Sequence, residues 1–135
     1  MTHTLKNSFN QATLGSIIWI FLLANISNLK QNIPFTFIWN LLLIGILFGL
    51  VFGIIYPYLW NYSTFKASTN ILISTVANIF CVFLGVRLYS IDMFNLMKPF
   101  WIGIILLTLI GHIIGFYFYA QHKSRQLKNE LNNLI

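Results

Sequence analysis

Residues 35–60 read FTFIWNLLLIGILFGLVFGIIYPYLW, a run without one charged side chain. A helix rises about 1.5 Å per residue, so about 20 apolar residues cross the ~30 Å hydrocarbon core of a bilayer. This run is long enough with residues to spare. A membrane-spanning strand is shorter and alternates apolar with polar positions, a pattern absent here. Gly45, Gly49 and Gly53 recur at every fourth position within the run. On a helix that spacing lines the glycines up into a smooth groove, where a second backbone can approach closely. The stretch reads as a transmembrane helix that carries its own packing surface.

Three further apolar stretches flank it, at about residues 12–29, 67–89 and 99–120. With 35–60 they predict an all-α integral membrane bundle of four transmembrane helices, formed as one domain by residues 1–135. Residues 121–135 make a polar tail. The composition agrees. The chain is 58% hydrophobic and 7% charged, against about 45–50% and about 25% in soluble domains. Span 1 is the least apolar and reads as the peripheral one, with Asn25–Asn28 near an interface. The segment after it lacks a good cleavage site, so it reads as a retained span rather than a signal peptide. Short connections make neighbouring helices antiparallel.

The formal net charge is +6, with only two acidic residues. The cations sit at span ends, which points to anionic lipid rather than nucleic acid. Lys6, Lys66, Lys123, Arg125 and Lys128 fall on one side, Lys30, Arg87 and Lys98 on the other. The positive-inside rule then places both termini in the cytoplasm of a multi-pass protein of the cell membrane. Aromatic residues such as Trp39, Trp60, Tyr89, Trp101 and Tyr119 fall near the expected interfaces. Arg87 at the outer end of span 3 can reach the headgroups, and Asp92 is placed to pair with Arg87 or Lys98 in a weak surface ion pair.

Small residues mark faces for close packing: Gly45, Gly49 and Gly53 in span 2, Ala77, Cys81 and Gly85 in span 3, and Gly111 and Gly115 in span 4, with Gly103 two turns earlier. They serve either internal packing or a seam for a homo-oligomer or partner helix. Polar residues inside the spans are fewer. Asn70, Ser74 and Asn78 form a stripe on span 3, and Thr108 and His112 share a face of span 4. Antiparallel spans 3 and 4 would bring these to similar depths and form a hydrogen-bonded seam. An ionisable residue within a membrane is a functional candidate by default. His112 is read either as structural glue or as part of a pH-sensitive or transport path.

Catalytic groups are scarce. No carboxylate pair, zinc-ligand spacing, phosphate loop or nucleophile elbow occurs, and no acidic residue lies inside a span. Enzymatic activity, a metal, a cofactor and carboxylate-driven proton coupling are therefore not expected. In the tail, Leu127, Leu131 and Leu134 share one helical face, flanked by Lys123, Arg125 and Lys128. These residues predict a short amphipathic helix continuing span 4, which would either lie on anionic lipid or dock a cytoplasmic protein. A weaker face in the N-terminal arm holds Leu5, Phe9 and Ala12.

Ala12-x-x-Gly15-Ser16, Ile44-Gly45-x-Leu47-Phe48-Gly49 and Leu127-Lys-Asn-Glu-Leu131, set in this layout, resemble small four-helix membrane proteins of low-GC Gram-positive bacteria. These are encoded beside LytTR-type transcription regulators. The Ile, Phe, Asn and Lys content fits an AT-rich genome. Where that family carries a His followed by an aromatic residue in span 3, this chain has Asn78-Ile79-Phe80. The resemblance implies a regulatory membrane protein that restrains its partner regulator. Two other readings remain at this point: a small oligomeric transporter or channel subunit with a path along Asn78, Thr108 and His112, and a bacteriocin immunity protein.

Overall fold

A computed structural model describes residues 2–26 and 35–132, with the backbone alone for residues 25 and 26. Leu134 and Lys30 lie outside the described residues. Among these the chain is helical with no strand. The first helix, α1, spans Thr2–Ile26. Helix α2 (Phe37–Phe48) runs without a break through a π-helical stretch (Gly49–Ile55) into α3 (Tyr56–Asn61). Helix α4 spans Ala67–Tyr89, α5 Ile91–Met97, and α6 Trp101–Asn132 after a 3-10 turn at Lys98–Phe100. Three stretches are long and apolar enough to cross a membrane: Phe37–Asn61, Ala67–Tyr89 and Ile91–Asn132.

The α2–α3 helix is the hub. Its glycine face receives α1 in antiparallel register. A Cβ built on Gly45 would stand 2.7 Å from Cγ1 of Ile17, and one on Gly53 would stand 2.5 Å from Cα of Phe9. Between them, Thr13 and the Phe9 ring occupy the space over Gly49. Three glycines thus meet three residues of α1 that are also four apart. The span expected to be peripheral is the one seated in the groove. The physical reason is that α1 needs backbone proximity, not hydropathy, to dock against missing side chains.

The π-helical stretch begins within the same groove. Here the Tyr56 N–H donates to the Val51 carbonyl, five residues back. Each π-turn adds a residue relative to the α period and so rotates the residues beyond it about the helix axis. Past this stretch Tyr56 and Trp60 face α4 and α6. Helix α4 runs antiparallel to α2–α3, as the Asn40 side-chain amide donating to the Leu88 carbonyl (3.1 Å) and the Asn70 amide donating to the Leu59 carbonyl (3.0 Å) show. Helix α6 runs parallel to α2–α3, with Tyr56 on His112 and Trp60 on Phe116.

One element was not expected from the sequence. The link between α4 and α6 contains the short helix α5, started by Ser90. Its backbone is extended and its Oγ accepts from the Met93 N–H at 3.3 Å, the usual cap chemistry. Helix α6 runs through Ala120 to Asn132 as one helix, so span and tail are a single element, as the tail's helical face led one to expect.

The burial pattern suits lipid. Leu41, Ile44, Val51, Leu59 and Cys81 are buried, together with Asn70, Ser74, Thr75 and His112. Large apolar side chains cover the outside, Leu107 being 77% exposed. Where the solvent is hydrocarbon, apolar groups have no reason to hide, whereas polar groups must find partners inside.

Candidate functional site

The polar residues converge where α2–α3, α4 and α6 meet. His112 is 8% exposed and is the only buried residue of α6. Its Nδ1 lies 2.8 Å from the Thr108 carbonyl oxygen, one turn back. A carbonyl only accepts, so Nδ1 carries the hydrogen and Nε2 is left as an acceptor. Nε2 faces the Tyr56 hydroxyl in a short contact, and the phenol donates to it. The Ser74 carbonyl, 3.4 Å from the same hydroxyl, is the alternative acceptor.

Ser74 is fully buried, and its Oγ accepts from the Trp60 indole N–H at 3.3 Å. Tyr56 and Trp60 stack nearly parallel, with centroids 6.0 Å apart and planes at 7°. They end a ladder of rings, Phe48, Phe52, Tyr56 and Trp60, each four residues from the last. Trp60 also packs on Phe116 and Tyr119 and makes ordinary contact with Gly115. Lower in the bundle, the Tyr119 hydroxyl donates to Asn61 Oδ1, and Lys123 Nζ donates to the Tyr119 hydroxyl at 3.4 Å. This places Asn61 and the start of the tail at the same end of the molecule.

The expected two-helix seam is therefore a three-helix knot with a different membership. Ser74 and His112 belong to it, joined through Tyr56 and Trp60. Thr108 takes part through its carbonyl. Asn70 does not face α6. It donates to the Leu59 carbonyl and accepts from Ser63 Oγ at 3.1 Å, tying the turn between α3 and α4. Asn78 Oδ1 is buried without a hydrogen-bond partner, so Asn78 is not part of the knot. Tyr56 and Trp60 are missing from the seam expected from the sequence because they pass for span and interface aromatics. Their signal is the four-residue ring spacing running on from Phe48 and Phe52.

The small residues separate in the same way. Gly45, Gly49 and Gly53 hold α1. Gly85 meets the Phe48 ring, where a Cβ would stand 3.3 Å away. Cys81 is fully buried, and Ala77 is half-buried. Gly111 and Gly103 have nothing within 4 Å of a built Cβ, so they pack against no other described part of the chain. Helical spacing puts them on one stripe, but α6 is held by one side only and that stripe faces outward.

Of the tail residues, Leu127 and Leu131 are 54% and 61% exposed. Arg125 and Lys128 are also exposed, and Lys123 lies over the Tyr119 ring at 5.6 Å. Among the described residues, Asp92 pairs with neither Arg87 nor Lys98. The Arg87 guanidinium sits 5.9 Å over the Phe94 ring instead. Among the described residues no group of three His, Cys, Asp or Glu could hold a metal ion. Comparison with family models, with curated proteins and with solved structures finds no match to this chain.

Proposed function

We propose that this chain is a non-enzymatic regulatory protein of the cell membrane that binds or restrains a protein partner through the end of α6. The observation that carries the reading is the length of that helix. At about 1.5 Å per residue its 32 residues extend about 48 Å, some 18 Å more than a ~30 Å hydrocarbon core. The surplus is about the last dozen residues, from Gln121 onward. They form no separate segment folded back on the surface but prolong the helix axis into water. Leu127 and Leu131 then stand exposed in an aqueous phase, beside Arg125 and Lys128. A basic helix with an apolar stripe suits the groove of a protein partner.

With both termini in the cytoplasm, that partner is cytoplasmic. The resemblance to membrane proteins encoded beside LytTR-type regulators makes such a regulator the first partner to test. A transport path is less well supported, because both nitrogens of His112 are already bonded and Asn78 stands apart from it.

The test is capture of the purified regulator encoded nearest this chain by the full protein in nanodiscs. Capture should occur with the intact chain and be lost when residues 121–135 are deleted. Equal capture by both forms would overturn the role of the tail.

A further inference from the structure

Helix α1 is not one of the three stretches apolar enough to cross a membrane, yet it lies along one of them. Phe9 meets Gly53, Ile17 meets Gly45, and further on Ile20 and Ala24 line one small gap with Phe37 and Leu41. These contacts fix the depth of α1. Asn61 ends α3 eight residues beyond Gly53, about 12 Å along the axis. Asn10 and Gln11 follow Phe9 on the antiparallel helix, so they lie about 13–15 Å from the level of Asn61. The 25 residues of Phe37–Asn61 extend about 37 Å, about 7 Å more than a ~30 Å hydrocarbon core. With that helix centred in the bilayer, Asn10 and Gln11 stand roughly 9–11 Å inside the hydrocarbon, and Asn7 roughly 5 Å inside.

These three amides face away from the bundle. Asn7, Asn10, Gln11 and Leu14 recur at three- and four-residue steps on one face of α1, and all four are exposed. Phe9 and Thr13 lie on the other face, against the glycines. Among the described residues no side-chain hydrogen bond reaches Asn7, Asn10 or Gln11. Hydrocarbon offers them no partner, and an amide on a short stem cannot reach the headgroups from this depth. Lys6 differs. It stands about a quarter-turn to one side of the row, and its long stem carries the ammonium to the interface. The row itself is uncharged, so its cover must supply donors and acceptors within the hydrocarbon rather than a counter-ion.

An amide carries donors and an acceptor together, so a row of amides is its own complement. A second copy inserted the same way presents the same row at the same depth. A two-fold axis along the membrane normal brings the two rows face to face. The outside of α6 gives no such reason to pair, because Leu106, Leu107 and Ile110 are exposed there and lipid suits them. We infer that the chain forms a homodimer through the amide face of α1, with Asn7, Asn10 and Gln11 bonded to their counterparts in the second copy. Amides and hydroxyls join helices inside membranes in this way. The same pairing accounts for the polar start of a helix that lies at membrane depth.

The test uses the full chain in liposomes of phosphatidylethanolamine and phosphatidylglycerol at high lipid-to-protein ratio. In a Cys81→Ala background, Leu14→Cys puts one thiol on the amide face and leaves the amides intact. Oxidation with copper phenanthroline should convert most of that variant to a disulfide dimer, while Leu107→Cys, on the outside of α6, should stay monomeric. Combining Asn7→Leu, Asn10→Leu and Gln11→Leu should lower the Leu14→Cys dimer several-fold at unchanged helical content, whereas Asn10→Gln should keep it. Photobleaching of single molecules labelled through Ser124→Cys, with every amide in place, should show two steps and does not depend on how the leucine variant folds. Four results would each overturn the inference: one-step bleaching, equal cross-linking at Leu14 and Leu107, a dimer that survives the leucine replacements in a folded chain, or ready labelling of Leu14→Cys by a charged maleimide, which would put water over the row instead of a second copy.

Discussion

Glycine has three different meanings in this chain, and only its surroundings separate them. At Gly53 the neighbour is the backbone of α1, with the Ser8 carbonyl oxygen and the Phe9 nitrogen each 2.7 Å from a built Cβ. Backbone cannot turn aside as a side chain can. Gly53→Ala should therefore force α1 outward and cost about 1–3 kcal/mol, the usual range for overpacking. At Gly111 nothing stands in the way. There Gly111→Ala should be neutral or stabilising by up to about 1 kcal/mol, through helix propensity alone. Unfolding of each variant in mixed micelles checks both, and the two results should differ in sign or nearly so. The hydrogen bond between Tyr56 and His112 permits a second test. Tyr56→Phe keeps the ring stack and removes one donor, which should cost about 0.6–2 kcal/mol by the same unfolding measurement. A cost near zero would mean that the imidazole finds another donor.

At the scale of elements, the π-helical stretch does the most. It overlaps the surface that holds α1, since Gly49 and Gly53 lie within it, and it precedes Tyr56 and Trp60, the rings that hold α6, so its extra residue sets the angle between Gly45 and those rings. Deleting Leu50, an exposed position inside it, should swing Gly53, Tyr56 and Trp60 by about 100° relative to Gly45 and Gly49, one residue of helical rotation. Cysteines replacing Asn61 and Tyr119 report on this, since those two side chains bond each other. A bismaleimide should bridge them in the parent chain with Cys81→Ala and fail to do so after the deletion. The π-turn leaves no clear mark in the sequence. Its residues, Gly49–Ile55, are apolar like those around them, and hydropathy is blind to whether the bonds reach four residues or five. The continuity of α6 is legible. Leu127, Leu131 and Leu134 announce a helical face, and no Gly or Pro interrupts the chain between that face and the span before it.

For the whole molecule, the arrangement is one hub and three attendants. Contacts tie Phe9 to Gly53 and Lys123 to Tyr119 and Asn61, so the start of α1, the turn after α3 and the end of α6 share one end of the bundle. Arg87, Asp92 and Phe94 share the other. The basic residues assigned to one side by counting thus gather at one end. Sidedness in cells is open to direct measurement. Single cysteines at Ser63 and Ser124 should be labelled by an impermeant maleimide only after lysis, and one at Asp92 in intact cells. Labelling at Ser63 and Asp92 from the same side would break the topology.

Composition alone determined the solvent, the helical class and the scarcity of catalytic groups, because lipid admits few ways to satisfy a backbone and long uncharged runs have one stable form there. Spacing determined that span 2 would carry a close-packing face and that Ser74 and His112 would need partners. Tertiary structure decided which partners those were. A period of four residues marks a face without saying what lies opposite it. Gly45 and Gly111 look alike in sequence, yet one meets Ile17 and the other meets nothing described of the chain. Asn78 and Ser74 look like one stripe, yet only Ser74 reaches Trp60. The orientation of each helix about its own axis depends on every neighbour at once, and here it also depends on a single π-helical stretch. That orientation is not written in any local pattern, and it assembled the knot around His112 and turned the amides of α1 away from the bundle.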